Sequence, residues 1–161
     1  MNRNTKRFCC LWALIYLLGV SIAFGGLKIP RNVYRMDQLD AAVTEAKSKN
    51  KPLTFVYTEE NTNWGLCTSA SLDAIQKLKQ ESILIYAAAG KEWKTLPRLV
   101  QEAVHSPEAG KFIPITVVVD ADLKKIIAIV PYNGDAAKRN KLLRDAEKKI
   151  SEESKKAASG T

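Results

Sequence analysis

The chain has 161 residues, of which 46% are hydrophobic and 26% are charged, and its formal net charge is +8. This length predicts one domain, and the composition excludes the disordered and fibrous classes of protein. The basic excess does not indicate a nucleic-acid-binding protein. The C-terminal segment of the chain, where much of this excess lies, alternates lysine with glutamate and contains no aromatic residue that would stack on a base.

The N-terminus carries an export pattern. The basic segment "MNRNTKR" precedes an apolar run, residues 8–27, that contains no charged residue. Small residues at Ala23 and Gly25 suit signal-peptidase cleavage, while the run is also long enough to span a bilayer. We therefore assign residues 1–26 to a signal peptide or an N-terminal membrane anchor. The positive-inside rule then predicts an extracytoplasmic domain, periplasmic or secreted, either free or anchored to the inner membrane.

Strand and helix patterns alternate after this leader. "NVYRM" predicts a short strand, and Asp37 suits the N-cap of a first helix with an apolar face. "PLTFVYT" is short, β-branched and aromatic, which predicts a strand buried on both faces. The polar loop "EENTNWGLC" follows. Thr68, Ser69 and Ser71 are candidate caps for the second helix.

The second half of the chain continues the pattern. "SILIYAAAG" predicts a third strand, and "EWKTLPRLVQEAVHS" a third helix with Pro97 in its first turn. "IPITVVVD" and "IIAIVPYN" form a closing hairpin around "ADLKK". Asp135 caps a last helix, whose apolar side we expect to consist of Ala136, Leu143, Ala146 and Ile150.

The predicted fold class is α/β. A central mixed sheet is built in the order β-α-β-α-β-α-β-β-α and is preceded by an apolar N-terminal helix. Residues 27–152 form the folded domain, and residues 153–161 form a frayed C-terminal tail.

Two segments give the chain a family resemblance. "LDAAVTEAKSKNKPLTFVYT" resembles the helix and strand that lead into the active site of the thioredoxin-like family, and "FIPITVVVD" resembles its proline-led strand. The resemblance covers residues 33–150. It implies that "NWGLC" occupies the place of the family's Trp-Cys-x-x-Cys motif. It also implies that Pro114 follows a cis peptide bond and faces Cys67.

The motif is degenerate in this chain. Aligning "WGLC" with Cys-x-x-Cys puts Trp64 at the nucleophile position and Cys67 at the resolving position, whereas the other register leaves Ala70 at the resolving position. Cys9 and Cys10 lie in the leader, so Cys67 is the single cysteine of the folded part. An internal disulfide and a dithiol cycle are therefore excluded.

Cys67 has two interpretations. A cysteine at the start of a helix meets unsatisfied N–H groups and the positive end of the helix dipole, which stabilise a thiolate and would make it a reactive monothiol. Alternatively, Cys67 is a small, partly buried residue that packs under Trp64. His105 is the single histidine and is expected to have a structural or solvated role. A metal site would need more ligands than Cys67 and His105 offer, so we predict no metal site and no cofactor.

Three functions remain open. The first is a non-catalytic protein-binding module that holds an extracytoplasmic protein or peptide, and does not bind nucleic acid. Its binding residues would be Trp64, Gly65, Leu66, Ile113 and Pro114. The second is a monothiol oxidoreductase or thiol redox sensor with Cys67 as the catalytic residue. The third is a structural envelope protein whose site has decayed.

Overall fold

In the part of the chain that the structure describes, five strands and four helices follow one another in alternation up to a closing hairpin. A computed structural model of the chain describes residues 27–60, 62 and 64–159. The strands are β1 (Tyr34–Arg35), β2 (Leu53–Thr58), β3 (Ile83–Ala88), β4 (Ile115–Val119) and β5 (Ile126–Val130). The helices are α1 (Leu39–Lys49), α2 (Gly65–Leu78), α3 (Arg98–Val104) and α4 (Ala136–Ser159). Short 3-10 helices cover Met36–Gln38, Trp93–Thr95 and Pro107–Ala109.

The strands form one mixed sheet in the order β1-β3-β2-β4-β5. β1, β3 and β2 run parallel, β4 is antiparallel to β2, and β5 is antiparallel to β4. Every residue of the three central strands is buried, because helices cover both faces of the sheet. The predicted α/β class with a mixed sheet is confirmed.

The core has two parts, one on each face of the sheet. Phe55 of β2 packs toward α1 and α3 together with Ile85 and Val117. The next residue, Val56, packs on the other face against apolar residues of α2 and α4. This alternation is the period-2 geometry of a strand, expressed between two apolar layers. The N-terminal end of α2 and the segment after β5 consequently lie on the same face of the sheet.

Several predicted boundaries and caps are wrong. The 3-10 turn Met36–Gln38 contains Asp37, and Gln38 is the N-cap of α1. Pro97 is the N-cap of α3, one residue before the helix begins. α2 begins at Gly65, so Thr68, Ser69 and Ser71 lie inside the helix and do not cap it. Trp64 is the N-cap residue, although its side chain makes no capping hydrogen bond.

The last helix differs from its prediction in two ways. It continues to Ser159, through most of the segment that we expected to be a frayed tail. Leu143, Ala146 and Ile150 are buried as predicted, but Ala136 is exposed and Arg139 is buried. Asp135 caps the helix as predicted, since its Oδ1 accepts hydrogen bonds from the N–H groups of Ala137 at 2.8 Å and Lys138 at 3.0 Å.

The predicted leader, residues 1–26 with Cys9 and Cys10, lies outside the described residues. Among the helices of the described part of the chain, none combines the length and apolar character that crossing a membrane requires.

Candidate functional site

The segment Trp64–Cys67 turns from the carboxyl end of β2 into the first turn of α2. Trp64 is 46% exposed and Leu66 is 49% exposed, whereas Cys67 has no exposed surface. A Cβ placed on Gly65 would meet nothing within 4 Å, so the surface above this residue is open. The segment therefore presents two large apolar side chains to solvent and turns its sulfur inward.

The sulfur of Cys67 lies in a buried cluster of neutral polar groups. Its Sγ is 3.3 Å from the Oγ1 of Thr58, the last residue of β2. The hydroxyl of Ser71 lies 3.1 Å from the same Oγ1 and 3.0 Å from the carbonyl oxygen of Cys67. All three side chains are fully buried. The helix start at Gly65 creates this cluster, because it places Ser71 one turn after Cys67 on the same helical face.

Burial limits what the thiol can do. Exchange with a disulfide requires a thiolate that the partner sulfur can approach. Cys67 has no accessible surface, and its side-chain contact is a hydroxyl group and not a cation. The residues that cover Cys67 must therefore move before a partner reaches the sulfur.

Three aromatic rings from three segments meet beside the N-terminal end of α2. The ring of Tyr132, after β5, lies 5.3 Å from the ring of Trp64 and 6.5 Å from the ring of Phe112, which precedes β4. Phe112 is 66% exposed. We call Trp64, Phe112 and Tyr132 the aromatic patch. Leu66 extends the exposed apolar surface at the helix start.

The remaining predicted binding residues lie behind this patch. The Ile113–Pro114 peptide bond is cis. Pro114 is buried and lines a narrow cleft together with Tyr132 and Ala70 of α2. Ile113 is half-buried and packs against the core on the α1 and α3 face of the sheet. The structure thus brings Pro114 beside α2, three residues from Cys67 along the helix, while Ile113 belongs to the opposite layer.

Arg139 fixes the segment that carries Tyr132. Its guanidinium donates to Asp73 Oδ2 of α2 from Nε at 2.8 Å and from Nη2 at 2.6 Å, and to the carbonyl oxygen of Asn133 at 2.8 Å. Arg139 is 7% exposed, so one buried cation connects α2, α4 and the chain next to Tyr132. The sequence analysis placed Ala136 on the buried side of α4 and did not single out Arg139. No sequence pattern distinguished Arg139 from the other basic residues of this helix.

Charged groups surround Tyr86 of β3, next to β1. Burial, followed by the carboxylates of Glu60 and Glu92, raises the pKa of Tyr86 to about 12. Arg35 lies 5.8 Å from the centre of the Tyr86 ring and opposes this effect. Glu60 pairs with Lys91 at 2.9 Å.

The single histidine lies elsewhere. The ring of His105 packs edge-on at 4.5 Å from Trp93, which in turn contacts Tyr57 at 6.0 Å. Among the described residues, no three His, Cys, Asp or Glu side chains are grouped as metal ligands would be.

No model of a known protein family matches this chain, and a search of curated proteins finds no match. The site must therefore be interpreted from its own geometry. That geometry is an exposed aromatic patch beside a fully buried thiol.

Proposed function

We propose that the chain is an exported, thioredoxin-like domain that binds protein partners without thiol chemistry. The fold assignment is supported by the sheet order, by the cis proline before β4 and by the position of "WGLC" at the start of α2, the helix that follows β2. Export, to the periplasm or beyond the cell, is supported by the basic and apolar pattern of residues 1–27.

One observation carries the binding proposal: the site exposes its aromatic residues and buries its sulfur. Trp64 and Phe112 remain 46% and 66% exposed, while Cys67 is 0% exposed. Contiguous exposed apolar side chains mark interaction surfaces in soluble domains, and aromatic residues dominate the energy of such interfaces. If the chain were a structural protein whose site has decayed, there would be no physical reason for these aromatic rings to remain exposed to water.

The chemistry of the patch favours an extended peptide segment as the partner. Phe112 and Ile113 lie outside the strands, and their main-chain N–H and C=O groups make no backbone hydrogen bond with other described residues. An extended peptide would pair with such groups in the manner of an added strand and place an apolar side chain on the aromatic patch. The partner is then an extracytoplasmic protein or peptide with an aliphatic or aromatic residue in an extended segment.

The second candidate is a monothiol oxidoreductase or redox sensor. It is favoured by the place of Cys67 in the first turn of α2, where N–H groups and the helix dipole stabilise a thiolate. It requires an opening that exposes the sulfur. A structural envelope protein, the third candidate, would have neither a reactive thiol nor a partner at the aromatic patch.

Site-specific photo-crosslinking tests the proposal. Phe112 is replaced by the photoreactive p-benzoylphenylalanine, which keeps an aromatic ring at an exposed position, in the full chain expressed in its host cells. We expect discrete adducts with an extracytoplasmic protein. Trp64→Ala should remove most of the adduct because the partner loses an aromatic contact, whereas Cys67→Ala should leave it unchanged.

The matched control places the same photoprobe at Glu102, an exposed residue of α3 on the other face of the sheet. Equal adduct formation from Glu102 would refute binding at the aromatic patch. Loss of the Phe112 adduct in Cys67→Ala, with a disulfide-linked species in the parent chain, would favour the monothiol candidate.

A further inference from the structure

A second cavity, of about 390 Å³, opens at the amino-terminal end of β3. Its walls come from the segment 31–34, from Gln38, Glu45 and Lys49 along α1, and from residues 82–84 at the start of β3. Lys51 and Lys79 complete the lining. Cys67 and the aromatic patch lie at the carboxyl end of β2, which is parallel to β3. A six-residue strand is about 20 Å long, so the cavity is remote from the aromatic patch.

Among the described residues, the side chains that line the cavity carry more positive than negative charge. Arg31, Lys49, Lys51 and Lys79 line it, together with one carboxylate, Glu45. Glu45 pairs with Lys49 at 2.5 Å. Arg31, Lys51 and Lys79 form no ion pair with any described residue; Lys51 donates instead to the carbonyl oxygen of Gln80. Three positive charges therefore converge on one concave site.

Glu45 offsets only part of the positive charge that lines the cavity. It also accepts a hydrogen bond from the hydroxyl of Tyr34. The hydrogen bond with Lys49 is the main cause that lowers the pKa of Glu45, followed by the one from Tyr34 and then by the charges of Lys49 and Lys51. The carboxylate is thus held at one wall, where Lys49 already offsets its charge.

We propose that this cavity binds an anion that carries more than one phosphate group. Arginine and lysine are the side chains that recognise phosphate, arginine through its forked donors and lysine as a point charge. The cavity has the volume of a small-molecule site and exceeds what a single phosphate fills. This inference does not depend on the function proposed for the aromatic patch.

The phosphate groups have two possible sources. One is a soluble phosphorylated compound. The other is a cluster of phospholipid headgroups, because Arg31 follows Leu27, the last residue of the apolar run, by only four residues. An uncleaved anchor would keep the cavity at the surface of the membrane, where anionic lipids attract basic clusters.

NMR titration of the isotope-labelled full chain separates these sources. One arm adds sodium tripolyphosphate to the chain in zwitterionic phosphocholine bicelles. The other arm compares those bicelles with bicelles that contain phosphatidylglycerol. We expect saturable shifts of the amide signals of residues 31–34 and 82–84. A double variant, Arg31→Gln with Lys79→Gln, should weaken binding by about 10- to 100-fold.

The control variant, Arg144→Gln with Lys148→Gln, removes the same charge from exposed positions on α4 and should change affinity less than about twofold. Shifts with tripolyphosphate support the proposal with a soluble ligand, and shifts only with phosphatidylglycerol support it with headgroups. The absence of shifts at these residues in both arms would overturn it. An equal loss of affinity in the two double variants would also overturn it, because binding would then follow net charge alone.

Discussion

The sulfur of Cys67 lies 3.3 Å from the Oγ1 of Thr58, and neither side chain has any exposed surface. This pair places the thiol at the junction of β2 and α2, where it packs as a small polar residue. Ser71 completes the contact with its hydroxyl. A thiol that attacks a partner disulfide would require the opposite arrangement, a sulfur at the surface that the partner can reach.

Thr58→Val tests whether this cluster is an ordinary set of neutral hydrogen bonds. The substitution keeps the shape and removes the hydroxyl, while Ser71 retains the Cys67 carbonyl as an acceptor. We expect the free energy of unfolding to fall by about 1 kcal/mol, the net value of a neutral hydrogen bond. Urea denaturation measures it. A loss above about 3 kcal/mol would indicate that Thr58 stabilises a charged group, such as a buried thiolate.

Arg139→Met, at the base of the aromatic patch, should lower the free energy of unfolding more than Thr58→Val does. It removes three donors from Asp73 and Asn133 and leaves an apolar side chain of similar length. We expect a loss of about 2 kcal/mol in unfolding free energy, reduced from the value for a fully buried pair because Asp73 remains 38% exposed. Arg144→Met, on the exposed side of α4, is the control and should stay within about 0.5 kcal/mol of the parent chain.

Asp135→Ala should make the folding stability of the chain depend less on pH in the acidic range. Hydrogen bonds from the N–H groups of Lys138 and Ala137 lower the pKa of Asp135 below its ordinary value. A carboxyl group with a lowered folded-state pKa stabilises the fold above its ordinary pKa, and this contribution is lost as the pH falls through the lowered value. Thermal unfolding at pH 7 should show a lower Tm for Asp135→Ala than for Asp135→Asn, which can still cap. Equal Tm values for the two variants would contradict the capping role.

Tyr86→Phe should remove a loss of stability at high pH. Burial is the main cause that raises the folded-state pKa of Tyr86 to about 12, whereas an unfolded tyrosine ionises near about 10. The unfolded chain therefore releases this proton first, so stability is full below pH ~10 and declines as the pH rises toward ~12. Urea denaturation between these pH values should show a shallower decline for the variant. Parallel pH profiles would show that Tyr86 ionises equally in both states.

The sequence predicted the sheet well because its central strands are apolar on both faces. "LTFVYT" and "ITVVV" contain β-branched and aromatic residues that no surface helix would carry, and both are fully buried strands. Helix ends were predicted poorly. Asp135 caps α4 through local bonds that the sequence reveals, whereas α2 begins at Gly65 without a side-chain cap.

The site was only partly predictable, because its geometry depends on one helix boundary and on contacts between distant segments. That Trp64 and Cys67 lie near the start of a helix that follows a buried strand could be predicted from the local pattern. Which of them faces solvent depends on where α2 begins, a boundary with no local signal. The contacts of Tyr132 with Trp64 and Phe112 join segments far apart in the chain, so they depend on sheet order.

The alkylation rate of Cys67 in the folded full chain tests the central claim most directly. The chain is treated with iodoacetamide across pH 6 to pH 8, and peptide mass mapping separates Cys67 from Cys9 and Cys10. Because the folded state must open to expose the sulfur, we predict modification at least about 100-fold slower than in the urea-unfolded chain. A folded-state rate equal to or above the unfolded rate, above all below pH 7, would contradict the account and identify Cys67 as a reacting group.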